Sequence, residues 1–357
     1  MATATASLDQ TRVEAFMGKV IEDFSGTMTT LLCVLGDRLG LFEALAEGPA
    51  TAAELASRTG VSERYALEWL SGLAAAEYIE YDPPERRYTL PLEHQPAFAE
   101  EAGPMFLCGA YQMVPAMLAP FERLVEAFRN GGGVPQEAFP DEFWDGMQRF
   151  TASWFENLLL GEWLPALPHV REKLERGALV ADVGCGSGRA LLKLAQAFPN
   201  SRFVGFDAFE SQIARAARNA ADAGVADRVG FRLLDAAQGL PGEYDLITTF
   251  DVIHDAVDPR AIIRAVRGAL RRDGSYLLLE INCGDRREDN LGPIPALFYG
   301  FSVFYCLTSS LAGGGEGLGT CGCPEAKVRE LCTQAGFGRI DRVPVENPFN
   351  VLYEIRS

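Results

Sequence analysis

The sequence predicts an α/β protein: a mostly parallel, seven-stranded sheet flanked by helices and preceded by an α-helical domain. Three observations carry this prediction. After Ala178, seven short apolar runs are interleaved with amphipathic stretches, which is the pattern of a parallel sheet with helices on both faces. The first of those runs opens directly into a glycine-rich loop, "DVGCGSG", at Asp182–Gly188, and ligands of such sheets bind at the carboxyl ends of the strands. Before residue 100, apolar residues recur at helical rather than strand spacing.

From Thr11 to Ala46 the apolar positions Val13, Phe16, Met17, Val20, Ile21 and Phe24 predict two helices. Thr51 with Glu54 then forms a capping box, Gly60 ends that helix, Ser62 starts another, and "YIEYDPPERRYTL" reads as a short hairpin. Helix, turn, helix and wing is the outline of a winged-helix module, assigned to residues 1–100. Between Thr51 and Leu90 the basic side chains are Arg58, Arg64, Arg86 and Arg87, against Glu54, Glu63, Glu68, Glu77, Glu80, Asp82 and Glu85. This surface meets phosphates badly, so a protein-protein role is expected and DNA contact is not.

Residues 101–178 are expected to form a helical linker and substrate-pocket segment. Breaks at Gly131–Pro135 and Pro165–Pro168 flank an aromatic stripe of Phe143, Trp144, Met147, Phe150, Trp154, Phe155 and Trp163, which at helical spacing reads first as core. Residues 179–357 form the sheet domain. Strands are expected at Leu179–Gly184, Arg202–Phe206, Val229–Leu234, Tyr244–Phe250, Ser275–Asn282, Arg339–Val345 and Val351–Ile355, with helices at Gly188–Phe198, Ser211–Ala223, Arg260–Leu270 and Pro324–Ala335. An uncharged stretch, Leu291–Gly315, contains two prolines and several Gly, Ser and Thr residues. They shorten its apolar core below the ~20 residues of a membrane span. It reads as a buried or pocket-facing helix within a lid insertion at 284–323.

Composition narrows the function. The 32 basic and 49 acidic side chains leave a formal charge of −17, which repels nucleic acid and anionic membranes. Eight cysteines without a leader-like start at "MATATASLDQ" read as reduced thiols in a cytoplasmic protein. Cys321 and Cys323, with Cys332, lack the paired spacing of a structural zinc site and read as free thiols.

In the glycine loop the dinucleotide fingerprint fails narrowly, because Gly188 arrives one place early. Asp182, two residues before the first glycine, opposes a pyrophosphate and suits a ligand bearing an ammonium group and a sulfonium: S-adenosylmethionine. Asp207 and Asp235 end the next two strands in register with it. They supply acceptors for the ribose hydroxyls and the adenine amino group. The cofactor, and its product S-adenosylhomocysteine, are expected on Asp182, Gly184, Cys185, Gly186, Gly188, Asp207, Ala208, Asp235, Ala236, Phe250 and Asp251.

With these residues in place the chain resembles the class I S-adenosylmethionine-dependent methyltransferases, whose catalytic domain is Rossmann-like. More narrowly it resembles the small-molecule O-methyltransferases with an N-terminal winged-helix dimerisation domain. A bacterial branch of these shares "DNLG" at Asp289–Gly292, "GEGLGT" ending at Thr320 and "PFN" at Pro348–Asn350. In that branch an aromatic residue often follows "GLGT", where this chain has Cys321. The resemblance implies a homodimer and a small-molecule acceptor. It carries the general-base role to His254 in "TTFDVIHDAVDP", a supporting substrate-side role to Asp255, and the orienting role to Glu280 in "YLLLEINC". Of three histidines, His254 alone follows a strand on the cofactor side, and its pKa range suits removal of a hydroxyl proton. The competing role for His254 is a cap on the loop before Asp258 and Pro259. Asp251, Asp255 and Asp289–Asn290 do not require a metal, and none is expected. Transfer to N or S by proximity, and a cofactor-sensing winged-helix regulator, are the alternatives.

Overall fold

The computed structural model describes residues 8–101 and 103–357; the first seven residues of the N-terminal stretch considered above lie outside the described residues. Contacts divide the chain into two compact units, Met1–Val114 with Asp145–Phe150, and Pro115–Trp144 with Thr151–Ser357. Residues 101–178, expected as a linker and pocket segment, contribute to both units. The cause is a returning stretch of helix: the Arg149 guanidinium bonds both oxygens of Asp37 at 2.9 Å and reaches Glu101 at 2.9 and 3.0 Å.

The first unit begins with α1 (Gln10–Arg38), capped by the Asp9 carboxylate, which accepts the N–H groups of Thr11 and Arg12. Gly40, at φ 64°, breaks it from α2 (Leu41–Ala46). The two helices expected over residues 11–46 are therefore one long and one short. The capping box of α3 (Ala52–Thr59) is present in both directions, with Thr51 N–H on Glu54 at 2.8 Å and Glu54 N–H on Thr51 Oγ1 at 3.2 Å. Gly60 closes that helix, and α4 (Glu63–Ala75) follows. The wing is the antiparallel pair β1 (Glu80–Asp82) and β2 (Arg87–Thr89). Phe42, Leu55, Trp69, Leu70 and Leu73 form its core, and Trp69 Nε1 donates to Leu32 O at 2.8 Å.

The second unit is a seven-stranded sheet of β3 (Leu179–Val183), β4 (Arg202–Asp207), β5 (Val229–Leu233), β6 (Tyr244–Phe250), β7 (Leu270–Ile281), β8 (Arg339–Arg342) and β9 (Asn350–Arg356). The spatial order is β5-β4-β3-β6-β7-β9-β8, with β9 antiparallel to both neighbours and the first five strands parallel. Alternate residues of β7 show why these runs are continuously apolar. Leu277 and Leu279 enter a core with Val180, Leu191 and Leu246, while Tyr276 and Leu278 enter the opposite one with Ile247, Ile263 and Val266. The strand starts at Leu270 rather than Ser275, since Leu270 pairs with Tyr244 ahead of a register shift. The Arg271 guanidinium also holds Asp245 at 2.8 Å. Trp163 and Leu159 belong to the first core, as the aromatic stripe suggests.

A helical run, Pro293–Ala312, has the length and mean hydropathy (1.4) of a membrane span. It is an α-helix over Pro293–Phe301, a π-turn over Ser302–Cys306 and an α-helix over Leu307–Ala312. Its C-terminal half is buried, from Ser302 through Tyr305, Cys306, Thr308 and Ser309 to Ser310. Its hydroxyls are spent inside the protein, as Val134 N–H on Thr308 Oγ1 at 2.8 Å shows.

Candidate active site

Four neighbouring strands, β4, β3, β6 and β7, end at the same edge of the sheet, and the chemistry-bearing residues sit there. The loop after β3 turns through Gly184, Gly186 and Gly188, at φ 69°, 50° and 79°. A Cβ on Gly184 would lie 2.6 Å from Val252, and one on Gly188 would lie 2.7 Å from Phe231, whereas Gly186 faces open space. The loop is thus flush against its support and bare on the other side.

Asp207 holds this loop through Oδ2, which accepts Gly186 N–H at 2.9 Å, and Oδ1, which accepts Phe209 N–H at 3.0 Å. Burial raises its pKa against those donors. Asp182, also buried, accepts Thr248 Oγ1–H at 2.6 Å. Burial pushes its carboxyl up to about 7, with the Thr248 bond opposing and the nearby Asp207 charge adding. Asp235 is exposed and caps the next turn, accepting Ala237 N–H at 3.0 Å. Cys185 and Ala236 are buried and Ala208 is exposed. The Phe250 ring packs 5.4 Å from Phe155 and 5.8 Å from Trp163.

At the end of β7, Glu280 is 1% exposed and bound by three donors. Its Oε1 accepts the N–H groups of Ile253 and His254 at 3.0 and 3.2 Å, and its Oε2 lies 2.8 Å from His254 Nδ1. Burial lowers the pKa of His254, but the Glu280 carboxylate and the Cys306 thiol outweigh it, and the net direction is well upward. The capping alternative for His254 fails, because the helix Pro259–Ala269 is capped by Asp258, which accepts Ala261 N–H at 2.8 Å. Asp251, at φ 56°, directs both carboxylate oxygens at Asn350 Nδ2, at 2.8 and 3.0 Å. Burial pushes Asp251 and Asp255 up to about 7, with the His254 cation opposing.

Ligand atoms of Asp251, His254 and Glu280 lie within 4.8 Å of one another, but the hydrogen bonds just given already occupy them. Asp289 and Asn290 are spent on a local loop: Asp289 pairs with Arg286, and Asn290 bonds Gly284 and Arg286. All eight cysteines are free, and Cys323 and Cys332 are buried.

Sequence reasoning missed the residues that hold the His254 loop from the other side. Gly319 N–H donates to His254 O at 3.0 Å, and Ser310 Oγ–H donates to Ala256 O at 2.8 Å while accepting Gly317 N–H at 3.3 Å. Gly319 has φ 74°, and a Cβ there would lie 2.3 Å from Ser302 Oγ, which accepts Thr320 N–H. The "GEGLGT" and "PFN" motifs were the available signal: the first clasps the loop, and Asn350 of the second holds Asp251. Ser310→Ala leaves the buried Ala256 carbonyl without its donor, so unfolding titrations should show a loss of about 1–3 kcal/mol.

Comparison with known proteins agrees with this geometry. Residues 174–300 match the family described as a methyltransferase domain, and residues 27–99 match the Rv2258c-like winged HTH domain. The chain is 26% identical over 317 residues to the 3-hydroxy-5-methyl-1-naphthoate 3-O-methyltransferase of Streptomyces sahachiroi, covering 84% of this chain and 87% of that protein. Its fold matches the mitomycin 7-O-methyltransferase MmcR with a TM-score of 0.70 at 18% identity, over 98% of this chain and 100% of the other. It also matches human N-acetylserotonin methyltransferase in complex with S-adenosylmethionine, with a TM-score of 0.69 at 16% identity, over 99% and 100%. The chain thus carries a methyltransferase domain behind a winged-helix domain, with a glycine cradle and an acidic strand end that fit a cationic cofactor, S-adenosylmethionine.

Proposed function

We propose that this enzyme methylates a hydroxyl on a small apolar or aromatic acceptor, with His254 as general base. The observation that carries the reading is the buried His254–Glu280 pair, at 2.8 Å, in a loop whose capping need is met by Asp258. When bound, S-adenosylmethionine supplies an electrophilic methyl on a sulfonium. The residues that would hold it are Asp182, Gly184, Cys185, Gly186, Gly188, Asp207, Ala208, Asp235, Ala236, Phe250 and Asp251. The bare face of the glycine loop would admit its methionine part, Asp182 would supply the negative charge for the ammonium, and Asp207 and Asp235 would accept from ribose and adenine.

The proton chemistry belongs to the chain. Nδ1–H of His254 is committed to Glu280, so Nε2 is the nitrogen that receives the acceptor's proton. Glu280 then stabilises the imidazolium, and Asp255 meets the acceptor beside it. No step here calls for a metal ion. Segment 284–323 covers the base through Gly319 and Ser310, which supports reading it as a lid.

Beyond the site, the apolar stripe of α1 is exposed in a single chain: Phe16, Ile21 and Phe24 are 65%, 65% and 67% accessible. We read it as the dimer surface. Nucleic acid is not an expected partner, since three of the four arginines of the winged helix are engaged. Arg58 bonds the carbonyls of Ala44 and Gly48, Arg64 pairs with Glu68, and Arg87 pairs with Glu54. An intracellular, cytoplasmic setting without membrane attachment fits this composition.

Three outcomes follow. Cofactor affinity measured by calorimetry should weaken as pH falls from 8 to 6, because Asp182, held near 7, loses the charge that meets the ammonium; Asp182→Asn should flatten that dependence. His254→Ala should lower kcat by ~10²–10⁴-fold on a neutral phenol and recover on a phenol ionised at the assay pH; full activity on the neutral phenol would refute the base. Replacing Phe16, Ile21 and Phe24 together by Ser should convert a dimer to a monomer in light scattering, and an unchanged dimer would put the interface elsewhere.

A further inference from the structure

We infer that the acceptor is a neutral or cationic aromatic, and that the site discriminates against acceptors bearing a carboxylate. This rests on the reading that the acceptor meets His254. Five carboxylates, Asp182, Asp207, Asp251, Asp255 and Glu280, stand at the ends of four adjacent strands or in the loop that follows them. Asp182, Asp207 and Glu280 are buried. The cation among them is the imidazole of His254, and it is bound to Glu280.

The walls offer no compensation. The helical run Pro293–Ala312 supplies Tyr305, whose ring lies 4.9 Å from Phe143 and 5.6 Å from Phe139. The segment carrying those two rings is joined to the run by Val134 N–H on Thr308 Oγ1. Residues 131–144, 251–259 and 288–326 contain neither Lys nor Arg. Of the basic residues beside the last two segments, Arg260 bonds Glu316, Glu330 and Gln334, Arg286 bonds Asp289 and Lys327 bonds Glu330, while Arg287 is exposed to solvent.

Asp255 makes the preference specific. It neighbours His254 in the chain, and its charge reaches the Tyr305 hydroxyl. No other residue donates to its carboxylate among the described residues. It is therefore the acceptor-side group able to take a hydrogen bond from a second hydroxyl or an ammonium. An anion there would meet this carboxylate in surroundings of low dielectric, where like charges repel strongly.

Three probes of one frame test this: catechol, dopamine and 3,4-dihydroxybenzoate, which are neutral, cationic and anionic with the same two ring hydroxyls. Their dissociation constants would be measured by calorimetry on enzyme saturated with S-adenosylhomocysteine. The expected result is that the benzoate binds at least tenfold more weakly than catechol, that dopamine binds at least as well as catechol, and that Asp255→Asn narrows the gap between benzoate and catechol severalfold. Equal or tighter binding of the benzoate, a gap unchanged in Asp255→Asn, or no binding of catechol and dopamine would each overturn the inference. Because the readout is binding, it stands apart from the test of His254, which reads turnover.

Discussion

The carboxylate of Glu280 is the constraint around which the site is arranged. One oxygen accepts two successive backbone N–H groups and so fixes the path of the loop after β6; the other orients the imidazole that the loop carries. A buried carboxylate this well bonded is retained only when all its donors are in place. Its place in β7, registered on Val351 of β9 and one residue past Leu279 in a fully buried sheet, supplies the rigidity. The clasp from Gly319 and Ser310 closes on the same loop from the opposite side, so the imidazole is positioned by a strand, a helix and a glycine turn together.

Gathering carboxylates at one sheet edge is electrostatically unfavourable without a cation. Asp182, Asp251 and Asp255 are held near 7, first by burial, so the folded chain binds these protons more tightly than the unfolded chain does. Their stabilising contribution is complete below about pH 4, and it is lost as pH rises through 7. A cationic cofactor reverses that loss by favouring the ionised forms. Fold stability and cofactor charge are thereby linked, which gives a physical reason for the acidic strand ends beyond hydrogen bonding to the ligand.

Much of this was legible in the sequence. The parallel strands were readable because each is apolar on both faces, and the glycine loop because three left-handed residues sit in a short run after a strand. His254 could be named from its place after a strand on the cofactor side, and Glu280 from the family resemblance. The clasp was not readable, since it depends on Ser310 and Gly319 meeting a loop more than fifty residues earlier, and contacts of that kind leave no local periodicity. The Asp251–Asn350 bond escaped for the same reason. The return of Asp145–Phe150 to the first unit, with Arg149 on Asp37, was not readable either, since composition breaks carry no sign of so distant a pairing.

The account depends on His254 being a base whose proton affinity is set by Glu280. The direct measurement is the titration of the His254 ring nitrogens by ¹⁵N NMR, with S-adenosylhomocysteine bound, in the native enzyme and in Glu280→Gln. The account predicts a native midpoint above 6.5, the ordinary value for histidine, with Nδ1 protonated in the neutral ring, and a lower midpoint in Glu280→Gln. A native midpoint at or below the ordinary value, or one that does not move in Glu280→Gln, would contradict it.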